Sequence, residues 1–434
     1  MHEFAYRDGT LFCEGVALDA LAERHGTPLY VYSAATIRGH FRRLDGALAG
    51  LDHRVCFAMK ANSTLAVLDL LAREGAGFDI VSGGELFRVL KAGGNADNCT
   101  FAGVGKTREE IEYALREGVY SFNVESEAEL AFINEVAGSL GLKAPVALRV
   151  NPDVDAQTHK YISTGKSHNK FGIGIDRILG VYEQAARMPH LKLRGIQTHI
   201  GSQILETTPF AEALAKLVPI VTELKQAYGI EFFSIGGGMG IIYHGTLESG
   251  GASWWDTGKE EGSRRMTFGD YVRVVVPPLR GLGLKILLEP GRSLVGNAGV
   301  LLATVLYVKD TPAKRFVITD AGMNDLIRPA LYEGHHEIVP LREPAEGAPS
   351  APVDVVGPVC ESGDFFAQDR QLPPLAAGDR LALMSAGAYG FAMASNYNAR
   401  RLPAEILVDG DRAHVARERQ TWDDLIRGEH IPGA

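Results

Sequence analysis

From about Ser33 onward, two patterns alternate along the chain. Short apolar runs rich in β-branched and aromatic residues are each followed by a longer stretch with helical spacing of its apolar positions. The short runs are VCFAMKAN from Val55, AGFDIVS from Ala76, CTFAG from Cys99, YSFNVES from Tyr120, VALRVN from Val146, LRGIQTHIG from Leu193, FFSIGGG from Phe232 and KILLEPG from Lys285. Between them, TREEIEYALREG from Thr107 and SEAELAFINEVAGSLG from Ser126 read as amphipathic helices. Each opens on a hydroxyl cap with an acidic first turn and closes at a glycine. Eight such units in roughly 250 residues match a (β/α)8 barrel, with a doubly wound sheet as the competing arrangement. The fold class expected is α/β: a (β/α)8 TIM barrel over residues 36–290. After Gly291 the pattern changes. VLLATVLYVKD, RFVITDAG, VDVVGPVC and DRLALMSAG are strand-like, and helix signals become sparse. That predicts an all-β C-terminal domain over 291–434, joined by strands from 1–35 such as LYVYS at Leu29. Two segments interrupt the order. Tyr243 to Tyr271 is long for a strand-to-helix connection and reads as a surface cover on the active face. Arg342 to Pro352 is a Pro/Ala-rich loop with no function assigned.

Composition narrows the class. The chain has 434 residues, 46% hydrophobic and 22% charged, which is ordinary for a globular protein. A net charge of -9 argues against nucleic acid and against anionic membranes as partners. No run is long and apolar enough to span a bilayer, and MHEFAYRDGTLF lacks the pattern of a signal peptide. Cys13, Cys56, Cys99 and Cys360 are scattered without CxxC spacing, as expected of reduced thiols in cytoplasm. HHE at His335 to Glu337 has no accompanying ligand set, so no metal is expected.

The chemistry sits at the ends of the short runs. Lys60, Asp79, Asn123, Arg149, His199, the glycines from Gly236, and Glu289 all fall at or near C-terminal ends. In a barrel those ends share one face, where active sites lie. A lysine at a strand end is ordinarily a solvated charge. Held in a pocket, its pKa falls and its amine can form a Schiff base. SIGGGMG from Ser234 can turn its backbone N–H groups on an anion. HIGSQ adds the flat ring of His199 and the hydroxyl of Ser202. Glu289, in LLEPGRSLV, suits a ring nitrogen that must stay protonated to act as an electron sink. Lysine, anion loop, flat ring and carboxylate together describe a pyridoxal phosphate site. The bland alternatives are a flexible turn, a satisfied core histidine and a surface ion pair.

At this level of detail the chain resembles the diaminopimelate decarboxylases, among the alanine-racemase-like pyridoxal phosphate enzymes. The resemblance covers nearly the whole sequence. It rests on FAMKAN, FDIVSGGEL, THKYISTG with NKFGI, HIGSQ, GGGMG, EPGRSLVGNAG, DAGMNDLIRPALY, GPVCESGD and GAYGFAMASNYN. It implies conversion of meso-2,6-diaminopimelate to L-lysine and carbon dioxide, in lysine biosynthesis, by a homodimer with shared active sites. It implies that Lys60 carries the cofactor and His199 stacks on it. Ser202, Gly237, Gly238 and Gly240 would approach its phosphate, Glu289 its ring nitrogen, and Asp79, Gly291 and Arg292 its surroundings. Arg292, Arg328 and Tyr332 resemble residues that hold the distal carboxylate of the substrate. Cys360 resembles the proton donor and Glu361 the acid that receives the distal ammonium, both from the partner subunit. Tyr389 resembles a residue that touches cofactor and substrate. The long segment from Tyr243 is larger than the compact family form requires.

Three rival readings share the scaffold. A decarboxylase of ornithine, arginine or carboxynorspermidine would keep Lys60 and Glu289 but need not keep MNDLIRPALY. A racemase is expected to place a cation, not Glu289, at the ring nitrogen. A non-enzymatic pyridoxal phosphate binder would need neither the β domain nor PVCESGD.

Overall fold

The computed structural model describes residues 1–155, 170–251, 254 and 266–432. THKYISTG, the first residue of NKFGI and part of the Tyr243–Tyr271 stretch lie outside them. The chain forms two compact units, Arg38–Ile241 with Gly258–Leu294, and Met1–Ile37 with Ile242–Thr257 and Val295–Ala434.

The first unit is a barrel. Its strands are His53–Ala58, Gly77–Ile80, Cys99–Phe101, Ser121–Val124, Ala144–Asn151, Leu191–Thr198, Phe232–Ser234 and Lys285–Leu288. Each pairs in parallel with the next, and the eighth returns to the first, with Leu287 opposite Arg54 and Leu288 opposite Val55. That closure excludes a doubly wound sheet, which leaves two edges. All eight apolar runs became barrel strands. The reason is visible in their burial: every residue of the second, third, fourth and seventh strands is buried. Cys56, Ala147, Phe232 and Leu287 pack together from the first, fifth, seventh and eighth strands. Gly195 makes room for the Phe232 ring, since a Cβ there would lie 2.6 Å from it.

The helices form where their signals stand. Thr107 and Glu110 build a reciprocal capping box on Arg108–Glu117, and the Ser126 hydroxyl caps Glu127–Ser139. Each ends in a left-handed glycine, Gly118 at φ 75° and Gly141 at φ 65°. Beyond each, an N–H reaches back across the last turn, Val119 to Ala114 and Leu142 to Ala137.

The second unit is strand-rich. Leu29–Ser33, buried throughout, lies between Gly299–Asp310, antiparallel, and Ala404–Asp409, parallel. Gly299–Asp310 also pairs with Arg315–Thr319 and Arg380–Leu383. Phe4, Leu11, Leu29, Val31, Val300, Leu302, Ile406 and Val408 share its core. Strands dominate this unit, as expected, with short helices at Leu18–His25, Arg328–Tyr332 and, after the last strand, Trp422–Leu425. Of the excursion expected from Tyr243 to Tyr271, the part up to Thr257 groups with this unit and the part from Gly258 with the barrel.

Candidate active site

The register of the first two barrel strands sets the first contact. Ala58 lies opposite Asp79, and the chain then tightens into a turn over Met59–Ala61. Lys60 therefore stands just beyond the strand end, with its Nζ donating to Asp79 Oδ2 at 3.0 Å. The expectation of a desolvated lysine is corrected here. The Lys60 side chain is 41% exposed, and the group it meets is the Asp79 carboxylate. The buried partner is Asp79, whose Oδ1 has no hydrogen-bond partner among the described residues.

Glu289 follows the eighth strand and is buried inside a ring of donors. Its Oε1 accepts from Ser234 Oγ at 2.7 Å and Asn123 Nδ2 at 3.3 Å, and its Oε2 from Gln197 Nε2 at 2.8 Å. Burial and the nearby Asp79 charge push its pKa up to about 7, against the pull of the Ser234 and Gln197 hydrogen bonds. A buried carboxylate kept near neutrality by opposing effects is a mark of functional sites.

His199 follows the sixth strand. Its Nδ1 accepts from the Gly237 N–H at 3.3 Å, which leaves the proton of the neutral ring on Nε2. Burial, then Arg149 and Lys60, hold its pKa well below the usual value, so the ring is uncharged and suited to stacking. The glycine turn is tied into the barrel on both sides. Glu289 N–H donates to Gly236 O at 2.8 Å, and Gly240 N–H to Ile204 O at 2.8 Å. A Cβ on Gly237 would sit 2.2 Å from Glu289 O, and one on Gly238 2.5 Å from Gly201 O. The reading of the run as a simple N–H cradle is thus amended, because Gly237 and Gly240 spend their N–H groups internally. The Gly238 and Met239 N–H groups take no acceptor among the described residues. Beside the turn, Arg292 Nη2 donates to Ser202 Oγ at 3.1 Å, which leaves the hydroxyl proton available to an anion. Gly291 packs against the first strand, where a Cβ would lie 3.1 Å from Ala58 O.

These residues fit pyridoxal phosphate. Lys60 supplies an amine at the barrel mouth. The glycine turn with Ser202 supplies donors for a phosphate, His199 a neutral flat ring, and Glu289 a carboxylate for a pyridine nitrogen. Asp79 Oδ1 and Gln197 Oε1 are buried acceptors without a partner among the described residues, as expected of a site built around a polar ligand.

The remaining expected residues lie in the strand-rich unit. Arg328 is buried, with Nη1 donating to His336 Nε2 at 2.6 Å and its guanidinium 4.4 Å above the Tyr243 ring. Tyr332 closes the same short helix, half-buried. Cys360 and Glu361 are exposed on a loop pinned by Asp364, which accepts from Met323 N–H and Val359 N–H, both at 2.6 Å. Asn398 Oδ1 also accepts from Cys360 N–H at 2.8 Å. Tyr389 is half-buried at φ 56°. The barrel unit therefore gathers Lys60, Asp79, His199, Ser202, the glycines, Glu289 and Arg292, and the strand-rich unit carries the other five.

Sequence reasoning missed Gln197 and Ser234. A signal existed, since each is a polar residue inside an otherwise buried strand, and such a group must be hydrogen-bonded. It also left Arg149 among the site-end residues. Arg149 Nη1 instead donates to Glu125 Oε1 at 2.7 Å in a buried ion pair. The HHE residues serve as structural contacts. Glu337 accepts from Thr246 Oγ1 and Leu247 N–H, and among the described residues no group of potential metal ligands is present.

Comparison with known proteins gives the family. Residues 34–296 match the family model of the pyridoxal-dependent decarboxylase, pyridoxal binding domain. A Pseudomonas aeruginosa protein named diaminopimelate decarboxylase is 52% identical over 99% of both chains. The crystal structure of diaminopimelate decarboxylase from M. jannaschii in complex with L-lysine superposes with a TM-score of 0.90 at 37% identity, covering 100% of this chain and 99% of that one. The Helicobacter pylori enzyme with L-lysine gives 0.86 at 41% identity, covering 94% and 98%. With the family model matching residues 34–296, and relatives aligned along their whole length, this chain belongs to the pyridoxal-dependent decarboxylases, in the diaminopimelate decarboxylase family.

Proposed function

We propose that the chain decarboxylates meso-2,6-diaminopimelate to L-lysine and carbon dioxide. The observation that carries this reading is the barrel mouth, where Lys60 meets Asp79 beside a caged Glu289 and a neutral His199. Full-length relatives named for the same substrate support it. When bound, pyridoxal phosphate supplies an electron sink for the pair left on carbon as carbon dioxide departs. The chain's residues do the rest. Lys60 holds the cofactor through its amine, and Glu289 holds a proton at the ring nitrogen. The neutral His199 ring supports the cofactor's flat face without adding charge. Ser202, Gly238 and Arg292 bind the anionic end.

In this proposal, Arg328 and Tyr332 read the distal carboxylate, Glu361 receives the distal ammonium, and Tyr389 contacts both ligands. Cys360 delivers the proton that replaces carbon dioxide. The exposed, pinned Cys360 loop suits completion of a second copy's site, so the active form in this reading is a homodimer. The scattered cysteines, without CxxC spacing, support a cytoplasmic setting for it. Among the described residues, no helix is long and apolar enough to cross a membrane.

Carbon dioxide release from a panel of diaminopimelate, ornithine, arginine and lysine tests the reading. A strong preference for diaminopimelate is expected. Equal or better turnover of ornithine or arginine would replace it with the rival decarboxylase.

A further inference from the structure

The GHHE stretch after Arg328 has an ordering role that its sequence did not disclose. Arginine can only donate, so His336 Nε2 must accept from Arg328 Nη1 at 2.6 Å. A carbonyl can only accept, so His336 Nδ1 must donate to Met384 O at 2.8 Å. Both contacts demand the same state, a neutral ring protonated on Nδ1. His336 is fully buried, and the Tyr243 ring meets it edge-on at 5.3 Å while presenting its face to the Arg328 guanidinium at 4.4 Å. The next layer fixes the histidine backbone, with Arg370 Nη1 donating to His336 O at 2.9 Å. Burial, then Arg370 and His244, lower the His335 pKa to about 4, so the ring stacked on His244 adds no charge beside the two arginines.

We infer that His336, with Tyr243, is the positioning element that aims the Arg328 guanidinium at the substrate's distal carboxylate. This rests on the proposed role of Arg328. A guanidinium fork recognises a carboxylate only in a fixed plane, and an arginine side chain has several rotatable bonds to fix. His336 takes one of five N–H donors and sets the plane, and the Tyr243 face holds it from one side. Contacts to an unreacting part of the substrate act equally before and at the transition state. Loss of aim should therefore raise KM and leave kcat nearly alone.

Two isosteric variants separate the two ring nitrogens. His336→Gln keeps an acceptor where Nε2 stands, and His336→Asn keeps a donor where Nδ1 stands. The cofactor-loaded enzyme is assayed with diaminopimelate for KM and kcat. We expect His336→Asn to raise KM by about tenfold with kcat within about twofold, and His336→Gln to stay within about threefold of wild type in both. Tyr243→Leu, which removes the ring face and leaves His336, should also raise KM selectively. That arm decides if His336→Asn does not fold, as judged by its melting curve. Equal KM values across these variants, or parallel falls in kcat, would overturn the positioning role. Arg328→Lys is the control on the underlying reading. If it leaves KM unchanged, the role of Arg328 fails. If it raises KM while the His336 and Tyr243 variants do not, only the positioning inference fails.

Discussion

Replacing Glu289 by glutamine turns the electrostatics of the barrel mouth into a stability measurement. The carboxyl is buried, and its pKa stands at about 7 against an ordinary 4.5. The folded state therefore binds a proton that the unfolded state has already released across that window. Stability must fall as pH rises from about 4.5 to about 7. At 1.36 kcal/mol per unit, the displacement corresponds to about 3 kcal/mol lost by neutral pH in the cofactor-free protein. Glutamine carries no such term. It also fits the ring of donors: its oxygen can accept from Ser234 and Asn123, and its amide can face Gln197 Oε1 once the Gln197 amide flips. That oxygen has no partner among the described residues in the wild type. Glu85 and Asp325 are also raised to about 7 and slope the same way, so the informative quantity is the difference between the two proteins. Urea unfolding of both cofactor-free proteins at pH steps from 4.5 to 7.5 should show the variant gaining on wild type by about 3 kcal/mol. The gain should shrink in the cofactor-loaded proteins, where a cation facing Glu289 favours its charged form. Parallel curves in the cofactor-free proteins would refute the argument that burial outweighs the hydrogen bonds at Glu289.

Gly237→Ala places a Cβ against Glu289 O, which is backbone and cannot swing aside; it should cost about 1–3 kcal/mol and lower cofactor content. Unchanged melting and cofactor absorbance would show that the turn yields. Lys60→Ala should lose borohydride-trappable cofactor, and peptide mapping of the wild type should find the adduct on Lys60; an adduct on another lysine removes Lys60 from its role. Mixing inactive Lys60→Ala with inactive Cys360→Ala protein, under conditions that exchange subunits, should recover about one quarter of wild-type activity, because half the dimers then hold one intact site. No recovery, with exchange shown independently, would count against sites completed by a second copy.

The barrel was legible because its strands are continuous buried runs bounded by breakers, and both features are local in the sequence. The ends of those runs also announced Lys60, Asp79, His199 and Glu289. What surrounds Glu289 was not legible. Asn123 reaches it across 166 residues and Gln197 across 92, and no local period encodes such a meeting. Gln197 and Ser234 could have been flagged as polar side chains within buried strands, but their common partner could not. Lys60 was expected in a desolvating pocket, and the structure leaves its side chain 41% exposed beside Asp79, a neighbour that lies 19 residues away in sequence. Tyr243 was read as part of a surface cover. It is buried beneath Arg328, and a segment's length says nothing about which of its residues turn inward.

The placement of Leu29–Ser33 between Gly299–Asp310 and Ala404–Asp409 has a consequence for the ribosome. The Tyr32 hydroxyl donates to Glu405 across 373 residues of chain. At about 5–20 residues per second, a nascent chain waits roughly 20–75 s between making this strand and making the last neighbour it needs. Throughout that interval an apolar strand has no completed pairing on that side, and unpaired edges of this kind seek other strands. Chains cut short before Ala404 should therefore reach the inclusion-body fraction, and full-length yield should rise when synthesis is slowed in a host with abundant chaperones that shield emerging segments. For this protein, the vulnerable moment is late in translation, although the vulnerable segment is among the first to emerge.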